Sequence, residues 1–169
     1  MLILLTGGSG CGKSSYAEKL CTALPQPRYY IAAMQPWGEG GARKVARHRA
    51  MRQGKGFETI ERYRDLEHLV LPERGTALLE CICNLTANEM FDEQGNCSDP
   101  CARVLDGVEA LAAQCGDLVV VTNDVGSDGG VYDASTRQYI DAVGRINAAL
   151  ASRADQVWEL VCGIPIRLK

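Results

Sequence analysis

The apolar run Leu2-Ile3-Leu4-Leu5 leads directly into Gly7-Gly8-Ser9-Gly10-Cys11-Gly12-Lys13-Ser14, which in turn opens a helical pattern. The stretch fits G-x-x-x-x-G-K-[ST], the phosphate-binding loop, in the strand, loop and helix order that this motif requires. Glycines let the backbone wrap close around a polyphosphate and turn several N–H groups toward its oxygens. The helix starting near Lys13 adds its positive end, Lys13 reaches toward the β- and γ-phosphates, and the Ser14 hydroxyl is placed to complete the coordination of Mg²⁺. The motif predicts binding of a nucleoside triphosphate with its metal and leaves the reaction open.

A length of 169 residues, with no internal repeat, low-complexity tract or linker, suits one domain over residues 1–169. With 18 basic residues against 21 acidic ones the net charge is −3, which supplies no global positive field for nucleic acid. No apolar run approaches bilayer length, and the N-terminus lacks the features of a signal peptide, so the expectation is a cytoplasmic protein without a membrane span. In that setting the eight cysteines read as free thiols, because the paired short spacings of structural zinc sites are absent. Cys81 and Cys83 fall in an apolar strand pattern, where free cysteine behaves as a small hydrophobe.

Strand and helix signals alternate throughout. Helices are predicted over Ser14–Leu24, Gly41–Arg52, Asn84–Phe91, Ala102–Cys115 and Ala134–Ala151, and strands over Tyr29–Ala32, Thr76–Ile82, Leu118–Thr122, Gln156–Val161 and Ile164–Leu168, besides the first. His68 reads as an ordinary helix histidine. The alternation predicts an α/β fold: a mostly parallel central sheet flanked by helices on both faces, with ligands at the carboxyl ends of its strands. That end gathers the turn after Ile31, the end of the Leu78-Leu79-Glu80 strand and the Thr122-Asn123-Asp124 turn beside the phosphate loop.

Glu80 closes an apolar strand, where an acidic residue orients Mg²⁺ or its water opposite the loop serine. Asp124, in a turn, is the weaker rival. The second concentration of chemistry is Ala42-Arg43-Lys44-Val45-Ala46-Arg47-His48-Arg49-Ala50-Met51-Arg52. On a helix of about 100° per residue, Lys44, His48 and Arg52 share one stripe and Ala42, Ala46 and Ala50 another. The alanines are expected to pack on the body and direct His48 toward a cleft, with the surrounding cations disfavouring imidazolium and leaving a neutral ring able to attack phosphorus. The same cations would stabilise charge developing in phosphoryl or nucleotidyl transfer.

With these residues in view, the chain resembles the bifunctional adenosylcobinamide kinase and adenosylcobinamide-phosphate guanylyltransferase family of cobalamin biosynthesis. The resemblance runs through the Gly7–Ser14 loop, Tyr30-Ile31-Ala32, Arg43 to Arg52, Leu79-Glu80-Cys81, Val121-Thr122-Asn123-Asp124-Val125-Gly126, Gly144-Arg145-Ile146-Asn147 and the closing Gly163-Ile164-Pro165-Ile166-Arg167-Leu168-Lys169. It implies a P-loop NTPase-like fold, ATP or GTP as phosphate donor, adenosylcobinamide (a corrinoid) as acceptor, and a homotrimer. It also implies a second transfer, in which a histidine attacks the α-phosphorus of GTP, carries GMP and passes it to the phosphorylated corrinoid. By position in the motif that histidine is His48. The resemblance further implies nucleotide contacts at Ala33-Met34-Gln35, along Arg49, Ala50, Met51 and Arg52, and at Glu61.

Three segments depart from the family pattern. Gly40-Gly41 stand at the start of the histidine helix, where each glycine costs about 1 kcal/mol if helical. Gln53-Gly54-Lys55-Gly56-Phe57 replaces a proline-and-tryptophan segment, and Ser127-Asp128-Gly129-Gly130-Val131-Tyr132 also differs, which bears on the corrinoid side. The alternatives are a monofunctional P-loop small-molecule kinase, which would never release pyrophosphate, and a nucleotide-dependent switch protein whose basic helix meets an anionic partner.

Overall fold

The computed structural model describes residues 1–36, 38–92, 94, 96–127 and 129–169, apart from the side chains of residues 38, 39, 42 and 44. The expectations attached to the side chains of Ala42 and Lys44 and to Asp128 lie outside the described residues. Among the described residues the elements run β1 (Leu2–Thr6), α1 (Lys13–Thr22), β2 (Arg28–Ala32), α2 (Gly38–Arg52), β3 (Phe57–Glu61), β4 (Thr76–Glu80), α3 (Ile82–Met90), α4 (Cys101–Gln114), β5 (Asp117–Val121), α5 (Ala134–Arg153), β6 (Gln156–Val161) and β7 (Ile164–Arg167). The strands form one seven-stranded sheet in the order β3-β2-β4-β5-β1-β6-β7. Every neighbouring pair is parallel except β6 with β7, which closes the chain as a hairpin.

Strand side chains alternate between two apolar layers, as the period of two demands. Leu4, Ile31, Leu79 and Val120 face Leu85 of α3, Val104 and Leu111 of α4 and Ile146 of α5. Ile3, Leu5, Leu78 and Val119 face Ala17 and Cys21 of α1 and Val143 of α5. Each fully buried leucine stabilises the fold by about 1.5–3 kcal/mol relative to exposure. Burial on both faces explains why the central strands read as continuous apolar runs rather than alternating ones.

The structure moves several boundaries. The fourth strand stops at Glu80, so Cys81 and Cys83 are not strand residues: Cys81 precedes α3 and Cys83 lies in its first turn. The buried run Leu78–Ile82, apolar apart from Glu80, hides that boundary, since a buried strand and a buried helix start look alike. His68 is exposed and sits in a single 3₁₀ turn, Leu66–His68, whose Leu66 is buried in the core. Of the alanine stripe of α2, Ala46 and Ala50 do not pack on the body but are exposed, whereas among the described side chains of this helix Val45, His48, Met51 and Arg52 are partly or fully buried. Gly40 and Gly41 do lie within α2, and a Cβ on Gly41 would come 3.1 Å from the Pro36 carbonyl carbon. All eight cysteines are free, and among the described residues no helix is long and apolar enough to cross a membrane.

The turn after β1 needs glycine for two separate reasons. Gly7 has φ of 133°, and a Cβ there would lie 2.5 Å from the Leu160 carbonyl oxygen of β6. A left-handed backbone and a backbone clash together leave room only for hydrogen. Gly7→Ala is therefore expected to destabilise the fold by about 1–3 kcal/mol, read as a lower urea midpoint at unchanged slope; an unchanged midpoint would contradict this packing.

Candidate active site

The carboxyl ends of β1, β2, β4 and β5 converge on one side of the sheet, because these strands are parallel and adjacent. From β1 the chain enters the phosphate loop, and Gly12, at φ 99°, starts α1 without a side-chain cap. The first-turn N–H groups of that helix thus remain available to an anion. Lys13 Nζ crosses the loop, donating to the carbonyls of Gly7 at 2.8 Å and Gly8 at 2.7 Å. The β6–β7 turn braces the same loop, Gly163 N donating to the Cys11 carbonyl at 2.9 Å.

Glu80, at the end of β4 and only 7 % exposed, is the meeting point of the site. Ser14 Oγ donates to Glu80 Oε1. Tyr30 Oη donates to Oε2 at 2.6 Å. The Nδ1 atom of His48 lies 3.2 Å from Tyr30 Oη and 3.5 Å from Glu80 Oε1. Burial pushes the Glu80 carboxyl up, but hydrogen bonding and charge from His48, with the hydroxyls of Ser14 and Tyr30, outweigh it and hold the group below the ordinary glutamate value. Burial first, then the neighbouring Glu80 charge, hold the Tyr30 hydroxyl protonated well above the usual phenol range. The Arg52 guanidinium lies 3.6 Å from the centroid of the Tyr30 ring, a cation–π contact that fastens the end of α2 to β2.

Around His48, Arg43, Arg47 and Arg49 are exposed, where water and salt screen their charges, whereas the buried Arg52 lies over the Tyr30 ring and the Glu80 carboxylate is 3.5 Å from the imidazole.

His48 and the loop line one cleft of about 420 Å³. Its lining includes Ser9, Gly10, Gly12, Lys13 and Ser14 from the loop and the start of α1, together with Met34, His48, Met51 and Glu80. A narrower hollow beside it is lined by Tyr30, Ala32, Val45, Arg49, Arg52 and Glu61, with Met34, His48 and Glu80 shared between the two. There Arg49 pairs with Glu61 Oε1, and Tyr63 Oη donates to Oε2 at 2.8 Å; these two contacts, the Tyr63 bond foremost, lower the Glu61 carboxyl. Ala50 faces a separate shallow recess with Arg49 and Arg52. Ala33 is buried, its N–H and carbonyl engaged by the Glu80 carbonyl and the Asn88 side chain. Gln35 lines an outer groove with Asn84 and Asn88. Asp124 is exposed, and Asn123 rather than Asp124 borders the cleft.

Several residues in or behind the cleft carry no site role in the sequence reading, though Tyr30, Cys81 and Asn147 fall in the motifs of the resemblance. Tyr30 reads as strand core, and only the pairing of Ala32 with Glu80 places both on one face. Cys81 and Cys83 reach the cleft because the helix starts there; their mutual hydrogen bond lowers the Cys83 thiol and raises that of Cys81. Asn147 of α5 braces the turn after β5, accepting from Thr122 Oγ1 at 2.7 Å and donating to the Asn123 carbonyl at 3.2 Å.

Two solved structures share the architecture. An ATPase of the type III secretion system of pathogenic bacteria superposes with a TM-score of 0.55 at 12% identity, covering 95% of this chain and 51% of that one. The ATPase domain of G40P gives 0.51 at 7% identity, covering 94% and 68%. At such identities the likeness is one of fold, the P-loop NTPase-like α/β sheet. Sequence relatives are much nearer. The bifunctional adenosylcobalamin biosynthesis protein CobU of Escherichia coli is 33% identical and that of Salmonella typhimurium 34%, each over the whole of both chains. The corresponding CobP of Pseudomonas aeruginosa is 29% identical over 98% of this chain and 96% of its own. A family model described as cobinamide kinase / cobinamide phosphate guanyltransferase matches residues 3–168. Matched from Ile3 to Leu168, the chain belongs to that family.

Proposed function

We propose that both transfers of this family take place in the single cleft between the phosphate loop and α2, with His48 as the residue that carries GMP. The observation that supports this reading is the shared wall: Lys13, Ser14, His48 and Glu80 border the same cavity. In the first transfer the loop holds ATP or GTP and its γ-phosphate passes to the hydroxyl of the aminopropanol arm of adenosylcobinamide. Lys13, once its Nζ exchanges the Gly7 and Gly8 carbonyls for phosphate oxygens, offsets charge on the moving group. In the second, His48 attacks the α-phosphorus of GTP, pyrophosphate leaves, and the phosphate of the phosphorylated corrinoid displaces the histidine. Covalent catalysis divides one hard displacement into two easier ones.

A Mg²⁺ ion fits the donor set. The Ser14 hydroxyl and Glu80 carboxylate are hard oxygen donors already in contact, and Mg²⁺ is held by one or two such ligands together with phosphate oxygens and waters rather than by a protein cage. When bound, the ion neutralises charge on the triphosphate. Arg49, Met51 and Arg52 flank the two hollows beside His48, and the Glu61 carboxylate is a ready acceptor for nucleotide N–H or hydroxyl groups.

Incubation with α-labelled GTP is expected to leave acid-labile, base-stable GMP on the protein, and His48→Ala to abolish it; intact protein that never acquires label would refute the guanylyl-transfer reading and leave a kinase alone. Lys13→Ala should lower γ-phosphoryl transfer by about 10²-fold or more, followed as phosphorylated corrinoid. Ser14→Ala and Glu80→Gln should each raise the Mg²⁺ concentration needed for half-maximal turnover, and an unaltered metal titration in both would remove these residues from the metal site.

A further inference from the structure

Which ring nitrogen of His48 attacks follows from the groups that face the other one. Tyr30 Oη is 2.6 Å from Glu80 Oε2 and 3.2 Å from His48 Nδ1. A carboxylate has no proton to give, so the single hydroxyl hydrogen of Tyr30 is committed to Glu80, and toward the imidazole Tyr30 presents only lone pairs. Among the described residues the other group near Nδ1, Glu80 Oε1 at 3.5 Å, is an acceptor as well. The hydroxyl is held in place: Tyr30 is 2 % exposed, its ring lies under the Arg52 guanidinium at 3.6 Å and meets Phe57 edge-on at 6.2 Å between centroids.

We propose that Tyr30 is a positioning residue that fixes the neutral imidazole of His48 as the Nδ1–H tautomer, leaving the lone pair on Nε2 for attack. This inference rests on the assignment of His48 as the GMP carrier. The Nε2 lone pair forms a bond to the α-phosphorus of GTP, the bond from that phosphorus to the α,β-bridging oxygen breaks, and its electron pair leaves with pyrophosphate. The ring keeps its Nδ1 proton and gains positive charge that spreads over both nitrogens, facing the oxygens of Tyr30 and Glu80. On return, a phosphate oxygen of the phosphorylated corrinoid bonds to phosphorus, the P–Nε2 bond breaks, and its pair goes back to Nε2. No proton moves at Nδ1 in either direction. The reverse tautomer would present an N–H to phosphorus and could not react without first losing it.

The chain contains two histidines, and the other, His68, is solvent-exposed, so ¹⁵N-histidine labelling yields two imidazoles with an internal reference. In long-range ¹H–¹⁵N spectra recorded above the ordinary imidazole titration range near pH 6.5, wild-type His48 is expected to show a protonated Nδ1 and a bare Nε2. Tyr30→Phe should shift that ring toward mixed tautomers and slow single-turnover guanylylation about 10-fold, the loss of one hydrogen bond, with GTP affinity little changed. Wild-type His48 that carries its proton on Nε2, or averages between the two tautomers, would overturn the inference without recourse to any variant. So would a Tyr30→Phe protein with tautomer and rate unaltered. A wild-type Nδ1–H tautomer in protein that takes up no GMP would uphold the tautomer assignment and remove the carrier role instead.

Discussion

The buried carboxylate of Glu80 is the constraint on which the rest of the site depends. A charge placed at the end of an all-buried strand costs several kcal/mol unless hydrogen bonds and opposite charge compensate it. The compensation comes from three different elements: Ser14 of α1, Tyr30 of β2 and His48 of α2. Each of these side chains belongs to the proposed catalytic apparatus or touches one that does. Satisfying one buried anion therefore aligns the phosphate loop with the histidine helix.

The helix α2 shows how much rests on that alignment. Arg43, Ala46, Arg47, Arg49 and Ala50 are exposed, and among the described side chains of this helix those partly or fully buried are Val45, His48, Met51 and Arg52. Among its described residues the contacts to the body include the polar contacts of His48 and the cation–π contact of Arg52, in contrast to α4, where Val104, Val108 and Leu111 are buried in the core. The sheet acts as the rigid part and α2 as a lightly tethered wall. Such a division suits a site that must admit a nucleotide, release pyrophosphate and then accept a bulky second substrate.

The phosphate loop was fully legible because its chemistry lies in eight contiguous residues whose glycines have backbone reasons, as Gly7 against Leu160 illustrates. The two-sided sheet was legible from strand and helix alternation, and Glu80 from its place at the end of an apolar run. What sequence could not carry was pairing across the fold. Tyr30 became part of the site only through the β2–β4 register that sets Ala32 beside Glu80. For α2, small alanines and a stripe through Val45, His48 and Arg52 were competing faces, and a cation count could not tell which side chains extend into water. The strand-to-helix change at Cys81 was masked by residues that suit both states.

The most direct test of the account is a crystal structure of the protein soaked with GTP and Mg²⁺. The account requires continuous density from His48 Nε2 to the α-phosphorus of GMP, with Nδ1 still beside Tyr30 and Glu80. An intact triphosphate seated in the loop with the imidazole turned away from it, or GMP joined to any other side chain, would contradict it.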